Sequence, residues 1–319
     1  MAKTVRKATL QDFDNVKSIT EKSIIYGGFD YLLPEFEDLM TRHGGYVLEM
    51  DGQVAGFLAY VITDGGTSFI PVGGRIHDDF RNQGLFRFLM DAVTKDLCAV
   101  YPAISSRRMS IDTRNPHASR ITTSHDVVCR GKHVLMKLDE VRRRHISSFS
   151  SLLESNDVSN GVVEMAMEDV CGVADSPQLV QNLFPLGYFL YDWRVYRFNR
   201  ADVASLPVEH ANFHCLVSFQ CFESELAKTI SAMTFVSTNK YGEEDGVKLD
   251  IDFHGAIDED TFKCHLVKAM RILDEKKIHY QALQAVVPEG CEGALQCLVA
   301  DERKLWSGGM IGLEFSIGI

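Results

Sequence analysis

The first half of the chain alternates between strand-like and helix-like patterns of apolar residues. A strand pattern at 4–9 leads into a helix at 13–19, and Thr9-Leu10-Gln11-Asp12 between them resembles a capping box. A second short helix is predicted near 34–40. Strand patterns at 46–50, 53–62 and 68–77 then follow, separated by the turn sequences Asp51-Gly52 and Asp64-Gly65-Gly66. These patterns predict a three-stranded antiparallel meander after the two helices.

A long amphipathic helix follows the meander. In residues 85–97, apolar side chains recur at three- and four-residue spacing, which places them on one face. A strand at 107–112, a helix near 116 and two strands around Arg130-Gly131 complete this half. The predicted order, β-α-α-β-β-β-α-β-α-β-β, favours an α/β (α+β) fold with a mixed, mostly antiparallel sheet flanked by helices.

The second half repeats the late β-α-β-α-β order of the first. Its predicted elements are strands at 189–196, 213–219 and 247–253, a helix at 262–273, a strand at 280–287, a helix at 295–299 and a strand at 311–317. Since 319 residues exceed one ordinary domain, two are expected. A basic triplet at 142–144 and the serines after it mark the connection, which gives domains at 1–139 and 160–319 and a linker at 140–159.

Composition narrows the class of protein. A formal net charge of -11 gives a nucleic-acid backbone no broad attraction, so an anionic substrate requires a local basic pocket. The start has no apolar signal region, no run of about 18 apolar residues occurs, and the eight cysteines form no C-x-x-C. The eleven histidines lack metal-ligand spacing. We expect a cytoplasmic protein without metal, membrane or nucleic-acid partners, and leave its oligomeric state open.

The junction of the fourth strand with the long helix carries the clearest chemistry. Gly74-Arg75-Ile76-His77 leads through an acidic loop into Arg81-Asn82-Gln83-Gly84-Leu85-Phe86. A strand, a glycine loop and a helix start with free N–H groups form an anion cradle, where Gly84 lets the backbone approach a pyrophosphate and Arg81 supplies positive charge. An ordinary tight turn is the alternative interpretation.

These residues also carry a family resemblance. RNQGLF at 81–86 resembles the R/Q-x-x-G-x-G/A acetyl-CoA loop of the GCN5-related N-acetyltransferases (GNAT superfamily), whose strand order this chain shares. IYGGFDYL at 25–32, GGRIHDDFRNQG at 73–84, the triplet at 113–115 and KLDIDFHG at 248–255 resemble the histidine N-acetyltransferases of vertebrates and their close relatives. The resemblance implies acetyl-CoA as co-substrate, bound by Gly74, Ile76, Arg81, Asn82, Gln83, Gly84, Leu85, Phe86 and Asn115.

The chain departs from the family pattern at three positions. Phe86 stands where the loop pattern has Gly or Ala, Val72 where relatives often carry a glutamate, and Thr122 where many have a tyrosine that protonates the leaving thiolate. The usual acid and base are therefore not visible. Acetyl transfer still needs a neutral amine and a stabilised thiolate. The candidates for acid or base, each of which also has a structural interpretation, are Tyr26, Asp30, Tyr31 and His125.

The implied acceptor is the α-amine of a free amino acid, L-histidine first, acetylated by direct transfer in a ternary complex. Its carboxylate needs a cationic partner. Arg114, within the triplet that also contains Thr113, can bind it as a fork, and Arg75 is the alternative; a surface pair with a neighbouring acid is the other interpretation of each arginine. The remaining alternatives for function are another amino acid, an amine or a peptide amino terminus as acceptor, and a non-catalytic CoA-binding or interaction module.

The second half has a corresponding loop of different chemistry. After the strand that ends at Phe253, the chain reads His254-Gly255-Ala256-Ile257-Asp258-Glu259-Asp260. Three carboxylates suit a helix amino terminus but repel a pyrophosphate. We therefore expect a degenerate GNAT-like lobe without coenzyme.

Overall fold

The computed structural model describes residues 2–19, 29–123, 125–149, 161–221, 228–242, 246–298 and 306–317. Its contacts divide the chain into two compact units. Unit 1 comprises Met1–Met109, Lys240–Gly246 and Glu314–Ile319, and unit 2 comprises Ser110–Asn239 and Val247–Leu313. These units do not follow the bounds at 139 and 160, and the division into sequence domains stays a prediction.

Unit 1 contains the predicted meander and its helices. Its elements are β1 (Lys3–Lys7), α1 (Phe13–Lys17), α2 (Leu32–Arg42), β2 (Gly45–Met50), β3 (Gln53–Thr63), β4 (Ser68–Ile76), α3 (Leu85–Val100) and the first residues of β5 (Ser106–Asp112). The capping box is confirmed, because the Thr9 N–H donates to Asp12 Oδ2 at 2.8 Å. The first hairpin is also confirmed: Asp51 and Gly52 have φ of 49° and 86°, the left-handed backbone of a tight two-residue turn.

The sheet of unit 1 runs in the order β1-β2-β3-β4-β5. Its first four strands are antiparallel, and β5 is parallel to β4. The apolar stripe of α3, formed by Leu85, Leu89, Val93 and Leu97, packs with buried residues of β2, β3 and β4. This packing fixes α3 on the sheet, and with it the loop that leads from β4 into the helix.

Unit 2 holds the remaining elements. They are α4 (Ala118–Thr122), β6 (Asp126–Lys137), α5 (Glu140–Ser147), β7 (Val163–Met165), α6 (Met167–Ala174), α7 (Pro177–Leu183), β8 (Tyr188–Tyr191), β9 (Arg194–Arg197), α8 (Arg200–Glu209), β10 (Ala211–Cys221), β11 (Lys228–Tyr241), β12 (Gly246–Gly255), α9 (Glu259–Glu275), β13 (Ala282–Pro288), a 3-10 helix (Glu292–Leu298) and β14 (Trp306–Ser316), with the ends of β11, β12 and β14 assigned to unit 1. The strand order is β14-β6-β13-β12-β11-β10-β7, beside a separate β8–β9 hairpin.

Three predicted elements after residue 139 differ from the structure. The alternation at 189–196 predicts one strand, but Asp192 and Trp193, with φ of 44° and 63°, turn the chain between β8 and β9. Because the two turn residues keep the alternation of apolar and polar positions, the sequence pattern does not reveal the turn. The helix at 295–299 is a 3-10 helix, and the predicted linker begins with a regular helix, α5.

A fourth difference lies in β6, which is one strand and not two. Gly131 pairs with Pro288 in the register of β6 and β13. A Cβ at Gly131 would lie 2.9 Å from the Val287 carbonyl oxygen. The glycine therefore marks a close approach of two strands, which a sequence pattern does not distinguish from a turn.

Buried charged and polar groups meet on the core face of unit 2. Lys248 Nζ lies 2.9 Å from Asp250 Oδ1, 3.3 Å from Asp192 Oδ1 and 3.1 Å from Gln284 Oε1. Burial raises the pKa of Asp250 to about 7 although Lys248 opposes this shift. Asp252 accepts the Asp192 N–H at 3.0 Å. The KLDIDFHG stretch thus forms an ionic network that anchors the β8–β9 turn.

No helix in the described ranges is long and apolar enough to cross a bilayer. Within the same ranges, no group of three or more His, Cys, Asp or Glu side chains is arranged to hold a metal ion.

Candidate active site

The start of α3 presents a row of backbone N–H groups. Gly84 precedes the helix with left-handed backbone, φ 70° and ψ 11°, and Asn82 has φ 62°. In the part of the chain that the structure describes, the N–H groups of residues 82–86 make no hydrogen bond. A Cβ at Gly84 would meet no atom within 4 Å, so the space above it is open. The loop has the backbone geometry of an anion cradle.

Charges of both signs surround this loop, because Asp78 and Asp79 precede Arg81. The first turn of α3 contains no acidic residue. Arg81 is about half exposed; its guanidinium lies 2.7 Å from Asp78 and its Nε donates weakly to the Ile76 carbonyl at 3.4 Å. These contacts hold Arg81 on the loop, where Asp78 offsets part of its charge and the helix start supplies the remaining positive potential.

Strand β4 carries a bulge immediately before the loop. Ala59 pairs with Val72 and Phe57 with Arg75, so β4 has one more residue than β3 across this step. Gly73, with φ 64°, supplies the bulge. The parallel register with β5 consists of Ser68↔Ser106 and Phe69↔Arg107, although β4 continues to Ile76. The backbone N–H and C=O groups of β4 after Phe69 therefore lie outside the β4–β5 register.

Phe86 packs against the bulged strand. A Cβ at Gly74 would lie 2.7 Å from Phe86 Cε2 and 2.9 Å from Leu58 Cδ1. Phe86 as a whole residue is 39% exposed. Phe86 replaces the Gly or Ala of the family loop pattern. Its large side chain fits because residue 74 is a glycine and has no side chain.

Two sequence candidates form a buried ion pair. Arg75 Nη1 and Nη2 donate to Asp30 Oδ2 and Oδ1 at 3.1 and 3.0 Å, and the two side chains are 8% and 5% exposed. Asp30 Oδ1 also accepts the Leu32 N–H at 3.1 Å. Next to this pair, Tyr31 Oη accepts the Gly73 N–H at 3.0 Å. Residues 30 and 31 are therefore fastened to the bulge of β4.

The triplet at 113–115 lies in unit 2. Arg114 donates to Asp112 through its backbone N–H at 2.8 Å and its Nε at 2.9 Å. Thr113 exchanges hydrogen bonds with the Gly309 backbone, at 2.9 and 3.0 Å. Asn115 Oδ1 accepts the His117 N–H at 2.9 Å. Each arginine that the sequence offers for a substrate carboxylate is thus paired with an acid of its own unit.

The partner of Arg114 was not visible in the sequence. Burial pushes the pKa of Asp112 upward, but the hydrogen bonds from Arg114 outweigh it and hold that pKa below its usual value. His133 Nε2 lies 4.0 Å from Asp112 Oδ2, and burial lowers the pKa of His133 to about 4. An i, i+2 pair has no motif signature, so only the fold reveals it.

The other candidates have ordinary contacts or lie elsewhere. His125 Nδ1 is 2.9 Å from the Ile121 carbonyl oxygen. Val72 is buried, and Thr122 Oγ1 donates to the Ser119 carbonyl oxygen at 3.0 Å. Tyr26 lies outside the described residues. The roles assigned to the site residues stay predictions.

In unit 2, residues 254–260 form the loop that corresponds to residues 81–86, and one of its own side chains caps the helix that follows. Asp258 Oδ1 accepts the Thr261 N–H at 2.8 Å, and Glu259 and Asp260 follow in the first turn of α9. The parallel strands β12 and β13 stay paired from Lys248↔Ala282 to Asp252↔Val286. The start of α9 is thus capped by its own side chain, and the two strands lose their pairing only after Asp252↔Val286.

Comparisons with known proteins identify similar acetyltransferases. No protein-family model matches the chain. The chain is 23% identical to the histidine N-acetyltransferase of Xenopus tropicalis over 193 residues, which are 60% of this chain and 58% of that protein. The match thus spans less than two thirds of that relative's length.

Solved structures match nearly the whole chain. A Thermoplasma acidophilum protein provisionally assigned as an acetyltransferase superposes with a TM-score of 0.55 at 13% identity, over 98% of this chain and all of that one. A tandem GNAT protein from the clavulanic acid biosynthesis pathway gives a TM-score of 0.53 at 10% identity, over 100% and 99% of the two chains. The Saccharomyces cerevisiae N-myristoyltransferase gives 0.53 at 10% identity, over 98% and 82%. The chain therefore has the GCN5-related N-acetyltransferase fold, as its strand order and the loop at 81–86 predict.

Proposed function

We propose that this protein is an acetyl-CoA-dependent N-acetyltransferase that acetylates the α-amine of a small amino acid, with L-histidine as the first acceptor. The observation that carries the proposal is the row of unbonded N–H groups at residues 82–86, which begins a helix next to a bulged strand. A diphosphate is the anion that suits such a row. The similarity to the Xenopus protein supports histidine as the acceptor.

The coenzyme site that we propose lies in unit 1. The N–H groups of Asn82, Gln83, Gly84, Leu85 and Phe86 bind the diphosphate, and Arg81 adds charge. The bulged end of β4, around Gly74 and Ile76, binds the thioester arm through backbone that its pairing with β5 does not use. Asn115 belongs to unit 2, and its role as a coenzyme contact stays a prediction from the sequence. The second lobe takes no coenzyme, because Asp258 caps α9 and two more carboxylates follow.

The reaction is a direct transfer. The neutral amine nitrogen attacks the thioester carbonyl carbon, the C–N bond forms, the C–S bond breaks, and the amine loses one proton while the thiolate gains one. A free α-amine has a pKa of about 8, so part of it is neutral at pH 7. The base therefore needs only to remove a proton through water.

We propose Tyr31 as the acid that protonates the departing thiolate. Its hydroxyl oxygen is held 3.0 Å from the Gly73 nitrogen, at the bulge of β4. Asp30 is a weaker candidate for acid or base because Arg75 binds both of its oxygens. His125 contacts the Ile121 carbonyl oxygen, and Tyr26 lies outside the described residues.

For the acceptor carboxylate we propose Arg114, with Thr113 beside it. Arg114 is 39% exposed, whereas Arg75 is 8% exposed and bound at both terminal nitrogens. An exposed guanidinium can share its donors between Asp112 and an incoming carboxylate. We also place the reaction in the cytoplasm, since seven described cysteines are free thiols, which suit a reducing compartment.

Thiol release from acetyl-CoA tests the proposal. The acceptor panel contains L-histidine, the other free amino acids, histamine and short peptides with amino-terminal histidine. We expect turnover with free amino acids and the highest kcat/KM with L-histidine. Turnover of peptides alone, or of histamine alone, would show that the acceptor is a peptide amino terminus or an amine and not a free amino acid. Coenzyme binding in calorimetry without any turnover would make the protein a CoA-binding module instead.

A further inference from the structure

A cavity of about 390 Å³ lies in unit 2, at the carboxyl end of β12. Its walls are residues 127–131 of β6, residues 286–289 at the end of β13, and residues 183–186 and 188–190, which run from the last residue of α7 into β8. Phe253 and His254 of β12 complete the lining. The volume is in the range of small-molecule pockets, and no residue of the 81–86 loop lines it.

The divergence of two parallel strands builds this cavity. The last register pair of β12 and β13 is Asp252↔Val286, and Phe253 and Val287, which come next, both line the cavity. Strand β13 instead stays paired with β6 as far as Pro288↔Gly131. The space therefore results from the main-chain path of three paired strands and does not depend on one mobile side chain.

The lining is mainly aromatic and apolar. Phe184, Tyr188, Phe189 and Phe253 are among its residues. The His254 ring lies 4.9 Å from Phe184 and 5.6 Å from Phe189, between centroids, and its Nε2 has no hydrogen-bond partner among the described residues. Burial lowers the pKa of His254 to about 3, so the ring is neutral at physiological pH.

The charged residues of the lining are confined to its exposed edge. Arg130 and Glu289 are 42% and 63% exposed, and Arg130 Nε lies 3.9 Å from Glu289 Oε2. Opposite charges at this distance leave no net charge for an ionic ligand. Leu186, 63% exposed, also lines the cavity and offers an apolar side chain to solvent.

We propose that this cavity is a ligand site for an uncharged small molecule with an aromatic or branched aliphatic body. The aromatic walls supply stacking and apolar contact, and burial of a charged group there would find no counterion. An acyl-coenzyme does not fit this chemistry. Its phosphates need unpaired positive charge, and Arg130, the cationic residue of the lining, is paired with Glu289. The proposal is independent of the acetyltransferase activity.

Fluorescence titration of the full chain tests it. The probe is N-phenyl-1-naphthylamine, which is uncharged, and the comparison is 1-anilinonaphthalene-8-sulfonate, which has a similar ring system and a negative charge. We expect saturable binding of one uncharged probe per chain, with the sulfonate weaker by at least about tenfold because its charge must be desolvated.

Two tryptophan variants locate the site. Val127→Trp places an indole in the cavity and should weaken the uncharged probe by at least about tenfold through steric exclusion. Val208→Trp is the control, since Val208 is 67% exposed and does not line the cavity, and it should leave binding unchanged. If Val127→Trp does not fold, Leu186→Trp at the exposed edge replaces it. Absence of saturable binding, tighter binding of the sulfonate, or full binding by the folded cavity variant would overturn the proposal.

Discussion

The ring of Phe86 occupies the space that a side chain at Gly74 would need. Because a Cβ there would lie 2.7 Å from the ring, Gly74→Ala should lower the free energy of unfolding by about 1–2 kcal/mol in urea denaturation. Part of this loss should disappear in the Phe86→Ala background. Gly172→Ala is the matched control: a Cβ meets nothing in α6, so it should stabilise by about 0.5–1 kcal/mol. Equal losses with and without Phe86 would contradict the packing.

The Asp30–Arg75 pair should be important for stability. Asp30→Ala leaves a buried guanidinium unpaired and should reduce the free energy of unfolding by about 3 kcal/mol, measured by urea denaturation. Glu168→Ala removes an exposed partner of Arg200 and should leave the free energy of unfolding nearly unchanged. A comparable small loss for both variants would mean that the Asp30–Arg75 pair is open to water in solution.

Gly84→Trp should abolish coenzyme binding while the protein stays folded. The indole would fill the open space above the helix start and block the N–H groups of residues 82–86. Calorimetry with acetyl-CoA should show a Kd raised by at least about a hundredfold, as expected when the diphosphate loses its contacts. Gly65→Trp is the matched control, because Gly65 also has positive φ, 61°, and open space, but lies in the β3–β4 turn. Unchanged affinity in Gly84→Trp would remove the coenzyme from this loop.

Tyr31→Phe should slow transfer without weakening binding. Loss of a general acid lowers kcat by about a hundredfold, while KM for the acceptor stays near the native value. With a donor thioester whose thiol is more acidic, Tyr31→Phe should lower kcat less, because that thiolate leaves without protonation. Tyr101→Phe, at the exposed end of α3, is the control and should be unaffected. An equal loss for both thioesters would give Tyr31 a structural role through Gly73 alone.

His254 should make the protein less stable in acid. Its pKa is about 3 in the folded state against about 6.5 unfolded, so between these values the unfolded chain binds more protons, and stability falls as pH falls. His254→Phe should remove up to about 1.4 kcal/mol of that loss per pH unit between about pH 6 and pH 4. Urea denaturation at pH 7 and pH 5 measures the difference. Parallel pH profiles for the two proteins would show that His254 titrates normally.

Much of the fold of unit 1 follows from local patterns. The turn at Asp51-Gly52, the capping box at Thr9 and the apolar stripe of α3 each carry their signal within a few residues, and each is confirmed. The β8–β9 hairpin and the unbroken strand at Gly131 were mistaken because alternation continues through a two-residue turn, and because a glycine serves equally for a turn and for a close approach.

The candidate site was only partly accessible to sequence reasoning. The loop at 81–86 was found because its function depends on backbone, which a glycine motif marks. Asp30 and Arg75 were separate candidates, and nothing in the sequence joins two residues 45 positions apart into one ion pair. The same holds for the extra residue in β4, because a bulge is defined by the neighbouring strand.

Because of the extra residue at Gly73, the contacts of β4 depend on the number of residues in the strand as well as on which residues they are. Since Val72 and Arg75 pair with Ala59 and Phe57, two positions on the same side of β3, the bulge brings them to a common side as well. Deleting a single codon at 73 would straighten the strand and remove the N–H that Tyr31 accepts, while Arg75 would stay opposite Phe57.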